Sequence, residues 1–539
     1  MTSPTEATPS VAGNYRAVAH EPVKPRARWS AADWLDTIML CLLILAMCSQ
    51  VNVRAIGEDT LAQGFHTKQL FIALSDVMLL GTFLWFLART TALWAWHRLW
   101  WPPFPCWALL LAMLIAALHA PTIVNAVAES LGEAHGLKGM IKAFLSKESK
   151  EAIAEIIQFT AYFAIAPFVF VNLMHDRRGA ELVVRRRFAV EAFAFAVVLA
   201  VGLGLWQRFH PDSATPYGLF SSANAYSGFL ALSLPLVAVY AMREWKNTLP
   251  FILMRLALLV GIFTISSLWA MSALCIGVLV GGLLMRLPAR AAGMLGVMVF
   301  IFVLNWSAPY GLATNQAQFK RAQQAALAAR KQFEEGVKHF EAAREKKDEA
   351  GMKAARADMV SAQTTLADIT ANRAEFLRAS SAGEKVKKQY IEWYAALGWS
   401  TPRQRALATG VGPGNYQLNI GPYYGGLPNE EKMPLDSNNL YLVQGVSLGI
   451  LGLGALLWVL SYFGGQARLA LRRFPHDWLG AAVLASLAAF LAVNLFHALI
   501  VRGVGLVLAF ILSLAIIAAR RDAHEDKAQP DPRPTVKEA

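Results

Sequence analysis

Apolar residues run along this chain in long blocks, not in the alternation of a half-buried strand or the single stripe of a soluble helix. Twelve windows approach the roughly 20 apolar residues that a helix needs to cross a bilayer. They lie at 34–51, 69–87, 104–121, 153–173, 188–207, 225–242, 251–268, 271–286, 291–307, 440–461, 479–499 and 503–519. The seventh and eighth are nearly continuous, parted only around Ser266, Ser267 and Trp269, so the pattern allows eleven or twelve spans. One long interruption, 308–439, is polar. Its portion 315–389 predicts a helical hairpin: Ala322, Ala326, Ala329, Phe333, Val337 and Phe340 recur at steps of three and four. Met352, Ala355, Met359, Ala362, Leu366 and Ile369 repeat the pattern after a turn over Lys346–Gly351. The portion 390–439 is rich in Gly, Pro, Tyr and Asn and runs into the tenth window.

This pattern predicts an all-α polytopic membrane protein of about 12 transmembrane helices. A basic tail (1–33) leads into helices 1–9 (34–307), then the 308–439 loop, helices 10–12 (440–519) and a tail at 520–539. Composition agrees: 56% of residues are hydrophobic and 16% charged, against about 25% charged in soluble domains. That excludes an ordinary soluble enzyme. The net charge of +13 brings nucleic acid to mind, but the basic residues mostly flank apolar runs, where membrane lipids with anionic headgroups are the better partner. Of the 50 Lys and Arg, 23 fall in short segments on one side and eight on the other, with 18 more in the long loop. The positive-inside rule then puts both termini in the cytoplasm and the long loop outside. No cleavage pattern of a signal peptide follows the first apolar run. Cys41, Cys48, Cys106 and Cys275 all sit in apolar runs without a CxxC pair, which predicts packing residues and no metal site.

The specific signal lies near the end of the long loop. It reads Glu392-Trp393-Tyr394, then Thr409-Gly410-Val411-Gly412-Pro413-Gly414-Asn415-Tyr416, then Asp436-Ser437-Asn438-Asn439-Leu440-Tyr441, then Gly445-Val446-Ser447-Leu448-Gly449-Ile450-Leu451-Gly452. This order resembles the O-antigen ligase and O-antigen polymerase superfamily, as do the dozen spans and the large late outer loop. An upstream stretch, Gly218-Leu219-Phe220-Ser221-Ser222-Ala223-Asn224, is similar to the segment that opens a span on the outer face in that family.

The resemblance implies a glycosyltransferase of the bacterial cytoplasmic (inner) membrane, metal-independent, inverting and without a cofactor. Its donor would be an undecaprenyl-diphosphate-linked glycan; its acceptor would be another glycan (polymerase) or the lipid A core (ligase) in surface polysaccharide biosynthesis. Such a reaction needs fixed positive charge for the leaving diphosphate, for which Arg is favoured. Arg502, Arg208, Arg405 and Arg403 are the candidates, since outer-face Arg is scarce. The acceptor hydroxyl needs a hydrogen-bond acceptor or base. Asn438, Asp436 and Asn439 stand at the junction of loop and tenth span, and His497 closes the eleventh. Many ligases of the family have a histidine at the position of Asn438, and Asp-x-Asn-Asn is closer to the polymerase-like members.

Gly412 and Gly414 predict a backbone able to approach a ligand closely, and with Asn415, Tyr416, Asn224 and Tyr441 they form the expected glycan-binding set. Near Ser267 to Ser272, where the family often has Ser-Arg, this chain has no Arg. Two other readings fit the chain in outline. One is a flippase or transporter of lipid-linked oligosaccharide, which should carry polar breaks near mid-membrane. The other is a non-catalytic scaffold of an export complex, with the hairpin 315–389 docking a protein partner.

Overall fold

The computed structural model describes residues 30–49, 52–53, 72–93, 96–120, 147–174, 180–209, 218–220, 223–243, 249–265, 267–307, 328–346, 348–371, 404–416, 439–474, 478–500 and 504–520. A helix lies on each of the twelve apolar windows. They are α1 (Ala31–Met47), α2 (Leu74–Ala92), α3 (Phe104–His119), α4 (Lys147–Thr160, continued through the π-helical turn Ala161–Ile165 into Ala166–Met174), α5 (Ala180–Phe209) and α6 (Ala223–Arg243). Then come α7 (Leu249–Thr264), α8 (Leu268–Leu284) and α9 (Pro288–Ser307). The hairpin arms are α10 (328–345) and α11 (Glu349–Ala371), followed by the short α12 (Gln404–Thr409) and by α13 (Leu440–Arg473), α14 (Trp478–Val493) and α15 (Val504–Ala519). Apart from a two-residue antiparallel pair, Asn52–Val53 with Ile72–Ala73, the described residues contain no strand.

Among the described residues four helices are long and apolar enough to cross a membrane by length and composition: Ser149–Met174, Arg185–Gln207, Ala225–Met242 and Leu440–Arg473. The apolar helices α3, α8, α14 and α15 are shorter. Large apolar side chains such as Leu84, Leu111, Phe195 and Leu451 are exposed on the outer helices, as expected where lipid and not water is the neighbour.

Helices α6, α14 and α15 form the centre, because their sequences are apolar on every side. All 16 residues of α15 are buried. Close approach there depends on small residues: a Cβ added at Gly277 of α8 would stand 2.8 Å from the Pro235 ring of α6 and 2.9 Å from the Ala485 carbonyl of α14. The seventh and eighth windows are separate helices, with Ser267 capping α8 by accepting from the Ala270 N–H. Several boundaries move from expectation: the fourth and fifth helices begin early, at Lys147 and Ala180, and the second runs on to Ala92. The eleventh window ends as helix at Val493, after which the chain turns through 494–496, and the tenth extends to Arg473.

Within the 315–389 segment the described residues form two helices, α10 and α11, on either side of the break in the pattern; 315–327, 347 and 372–389 lie outside the described residues. Asp348 accepts from the Gly351 N–H at the start of α11, and Ala329, Ala343, Ala355 and Ala362 are buried between the arms. Exposed i,i+4 pairs, Arg330–Glu334 and Lys331–Glu335, line the outside of α10.

At one end of the bundle three buried charges, Asp33, Asp36 and Arg185, meet the half-buried Arg89. Arg185 of α5 reaches Asp33 at 2.7 Å and Asp36 at 3.5 Å, both on α1. Arg89 of α2 reaches Asp33 at 3.1 Å and also contacts Asp36. The Trp85 indole N–H donates to Asp36 at 3.0 Å. Burial of Asp33 opposes its charge, but hydrogen bonds from the Ser30 hydroxyl and N–H and the two guanidiniums outweigh it and bring the carboxyl down from 3.8 to about 2.

Candidate functional site

The other end of the bundle is polar in a different way. Here the ends of α5, α7 and α14 meet the starts of α6, α8 and α13, about 33 Å along α5 from Arg185 at 1.5 Å per residue. Asn439 is the N-cap of α13: its Oδ1 accepts from the N–H groups of Tyr441 (2.9 Å) and Leu442 (3.1 Å). Its Nδ2 donates to the Leu495 carbonyl at 3.0 Å, in the unwound turn after α14. The Leu440 N–H reaches the Asn494 carbonyl, and the Tyr441 hydroxyl donates to the Leu491 carbonyl at 2.8 Å. Asn494, fully buried, holds that turn by accepting from the Leu499 N–H at 2.9 Å. Within the same turn His497 Nε2 shares a 2.8 Å hydrogen bond with Ser267 Oγ. Beside it Trp269 stacks on Phe496, with ring centroids 3.5 Å apart.

Three predicted site residues, Asn439, Tyr441 and His497, are therefore brought to one corner. Asn439 holds it as a cap and strut, since both lone pairs of its amide oxygen are engaged.

The glycine stretch is bound to the same helix two turns further along. α13 is interrupted at Gly449 (φ 67°, ψ −173°), where the regular ladder from Val446 and Ser447 is diverted. Their carbonyls instead accept from the N–H groups of Val411 (3.0 Å) and Gly412 (2.9 Å). Gly410 (φ 75°) abuts Ser447, and a Cβ on it would run into the Ser447 carbonyl; one on Gly449 would run into the Ala408 carbonyl. The two glycines are thus required by backbone-on-backbone contact as well as by positive φ. At the far side of the loop, a Cβ on Gly414 would stand 2.6 Å from the Glu151 carbonyl of α4. The loop closes on itself through the Asn415 N–H and the Gly412 carbonyl (3.2 Å), and the side chains of Asn415 and Tyr416 are buried. The sequence expectation placed these amides against a ligand; for Val411 and Gly412 the partner is α13 itself.

Where the loop joins α4 to α13, Gln444 Nε2 donates to Glu155 Oε1 at 3.2 Å. Glu155 is half-buried and lies inside the fourth apolar window. Gln444 is 4% exposed and Ser447 1%. The Gln444 Oε1 and Ser447 Oγ atoms are buried with no partner among the described residues, a condition that costs about 1–3 kcal/mol per group unless water or a ligand satisfies it. α4 carries its π-helical turn Ala161–Ile165 just beyond, and such bulges gather at functional sites. Sequence reasoning passed over Glu155, Gln444 and Ser447. The available signal was an ionisable residue within an apolar window.

The upstream segment is described at 218–220 and from Ala223 on. Gln207 clasps Gly218, accepting from its N–H at 2.7 Å and donating to its carbonyl at 2.9 Å, and Tyr226 reaches Thr264 at 3.0 Å. Asn224 is the second residue of α6, Arg208 lies at the end of α5 and Arg405 in α12, but their side chains lie outside the described residues. Arg403, Asp436, Asn438 and Arg502 lie outside them altogether. All four cysteines are unpaired thiols, Cys41, Cys106 and Cys275 within helices and Cys48 at the C-cap of α1, and among the described residues no group of His, Cys, Asp and Glu could hold a metal ion. Neither a protein-family model nor a curated protein matches this chain.

Proposed function

We propose that the chain is a membrane glycosyltransferase that moves a glycan from an undecaprenyl-diphosphate carrier to an acceptor hydroxyl, as a polysaccharide polymerase or ligase. It would sit in the bacterial inner membrane with about twelve spans, both termini in the cytoplasm and the loop 308–439 outside. The observation that supports this best is convergence on the first turns of α13. The Asn439 cap, the His497 turn and the glycine loop come from distant parts of the sequence and share one helix end.

In this reading the acceptor oxygen attacks the anomeric carbon, the bond from that carbon to the diphosphate oxygen breaks, and the carrier diphosphate leaves with the electron pair. Direct displacement inverts the anomeric centre. Arg502, five residues beyond His497, with Arg208, Arg403 and Arg405, would hold the departing diphosphate. His497, bonded to Ser267, would orient the sugar or diphosphate oxygens. Asp436, Asn438 and the buried Asn415 and Tyr416 would belong to the glycan side, with Asn224 and Tyr441 at its margin.

The test compares carrier-linked and surface glycans in a strain lacking the gene, with and without the wild-type gene restored. Single repeats accumulating on the carrier identify a polymerase. Full-length chains accumulating on the carrier, with surface attachment lost, identify a ligase. Carrier-linked glycan trapped on the cytoplasmic face would identify a flippase instead, and unchanged glycans would end the glycosyltransferase reading.

A further inference from the structure

We propose that Glu155 is the general base of the acceptor side, positioned by Gln444, and that the buried oxygens of Gln444 and Ser447 receive hydroxyl groups of the incoming sugar. This rests on the glycosyl-transfer reading above. The acceptor hydroxyl loses its proton to Glu155 as its oxygen bonds to the anomeric carbon, and the carrier diphosphate departs with the electrons of the broken bond.

The argument starts from placement. Glu155 stands at the head of the fourth apolar window, one turn beyond the charged start of α4 that ends at Glu151, and an ionisable side chain entering such a window is found chiefly where it has work to do. Among the described residues no cation pairs with it; its partner is the Gln444 amide at 3.2 Å. That contact leaves Oε2 open, and a half-buried side chain can still be reached from solvent. Gln444 and Ser447 are three residues apart, so they share one face of α13. Each is more than nine-tenths buried and carries an oxygen with no partner among the described residues. A sugar, with hydroxyls that both donate and accept, satisfies such atoms; an acyl chain cannot.

The surrounding backbone is fixed on two sides. The glycine loop ties Val446 and Ser447 to Val411 and Gly412, and Gly414 rests against Glu151, one turn before Glu155. Groups held in this way need little reorganisation during a reaction. Among the described residues no ion pair or cap uses Glu155, so a structural role within them would consist of accepting from Gln444 alone.

That separates base from strut. Glu155→Gln keeps the size and an oxygen that can accept from Gln444, but removes the proton acceptor; Glu155→Asp keeps the carboxylate one methylene shorter. The experiment measures glycan transfer per molecule of protein, normalised by blot, in the gene-deletion strain carrying empty vector, wild type or variant. The expected result is a loss of about 100-fold or more for Glu155→Gln and clearly faster transfer by Glu155→Asp. Gln444→Ala should lose about tenfold in the wild-type background and almost nothing further in the Glu155→Gln background, since the two act as one unit. Wild-type transfer by Glu155→Gln, an Asp variant no better than Gln, or independent multiplicative losses would overturn the assignment of Glu155 alone. Identical glycans from empty vector and wild type would overturn the transferase reading beneath it.

Discussion

Ser267 Oγ and His497 Nε2 lie 2.8 Å apart although 230 residues separate them in sequence. The bond joins the N-cap of α8 to the unwound turn after α14, and that turn is in turn bonded to the first residues of α13. His497 is therefore held with one ring nitrogen on Ser267 and little room to turn, being only 8% exposed. Ser267→Ala should release the ring and slow glycan transfer by several-fold, while His497→Ala should slow it by about tenfold or more at matched protein level. Transfer rates per molecule check this, and equal rates in all three proteins would remove His497 from the site.

Asn439, a candidate of the acceptor side, is placed as a helix cap. Its amide oxygen caps α13 and its amide nitrogen ties that cap to Leu495. Asn439→Ala should destabilise the protein by about 1–2 kcal/mol, the worth of a good cap, with transfer per folded molecule largely kept. Asn439→Asp retains the cap acceptor and should lose less. Thermal denaturation of the purified proteins in detergent, followed by size-exclusion chromatography of the survivors, measures the first effect. A stable Asn439→Ala protein with abolished transfer would instead make the residue catalytic.

The glycine latch makes the sharpest stability prediction. Gly410 and Gly449 face each other across a contact that admits no Cβ, and both have positive φ. Gly410→Ala and Gly449→Ala should each cost about 1–3 kcal/mol from backbone strain, and more from the clash. Because both substitutions break the same contact, the double variant should lose less than the sum. Gly454, with open space around it, is the control, and Gly454→Ala should be tolerated. Melting temperatures that do not separate 410 and 449 from 454 would contradict the latch.

At the opposite end, the buried Asp33, Asp36 and Arg185 form one network with the half-buried Arg89. Arg185→Ala leaves two buried carboxylates to a single guanidinium and should destabilise by about 3–5 kcal/mol. The Asp33 carboxyl adds a pH dependence. Its folded value, about 2, lies below its ordinary 3.8, so its contribution is fully present above about pH 4 and is lost as pH falls toward 2. The amount is about 2 kcal/mol. Asp33→Asn should flatten that part of the stability profile, and an unchanged acid limb in the variant would contradict the network.

Much of the helical framework was legible in the sequence, since apolar blocks of bilayer length leave few alternatives to helix. In the described part of 315–389 the three-and-four spacing of small apolar residues was legible as helix, and Ala329, Ala343, Ala355 and Ala362 are buried. Their neighbours set what was not legible. Asn494 ends α14 six residues before its apolar window ends, because its side chain and backbone turn to bond Leu499 and α13. Hydropathy has no term for that. The glycines at 410, 412 and 414 announced unusual backbone, but not that α13 would supply the carbonyls for it. Glu155 was visible as a charge in an apolar run, but its partner Gln444 is 289 residues away. Likewise Asp33 and Arg185 each read as an ordinary charge flanking a span until the fold placed them together.

The most direct test of the account is transfer by the purified protein. Wild-type protein or His497→Ala is reconstituted into vesicles of bilayer lipid together with the carrier-linked glycan extracted from the gene-deletion strain, and glycan size and linkage are followed with time. The account predicts that wild type lengthens the carrier-linked chains, or attaches them to added lipid A core, with release of carrier diphosphate, and that His497→Ala does so at least about tenfold more slowly. Carrier-linked glycan left unchanged by folded wild-type protein, with either acceptor present, would contradict it.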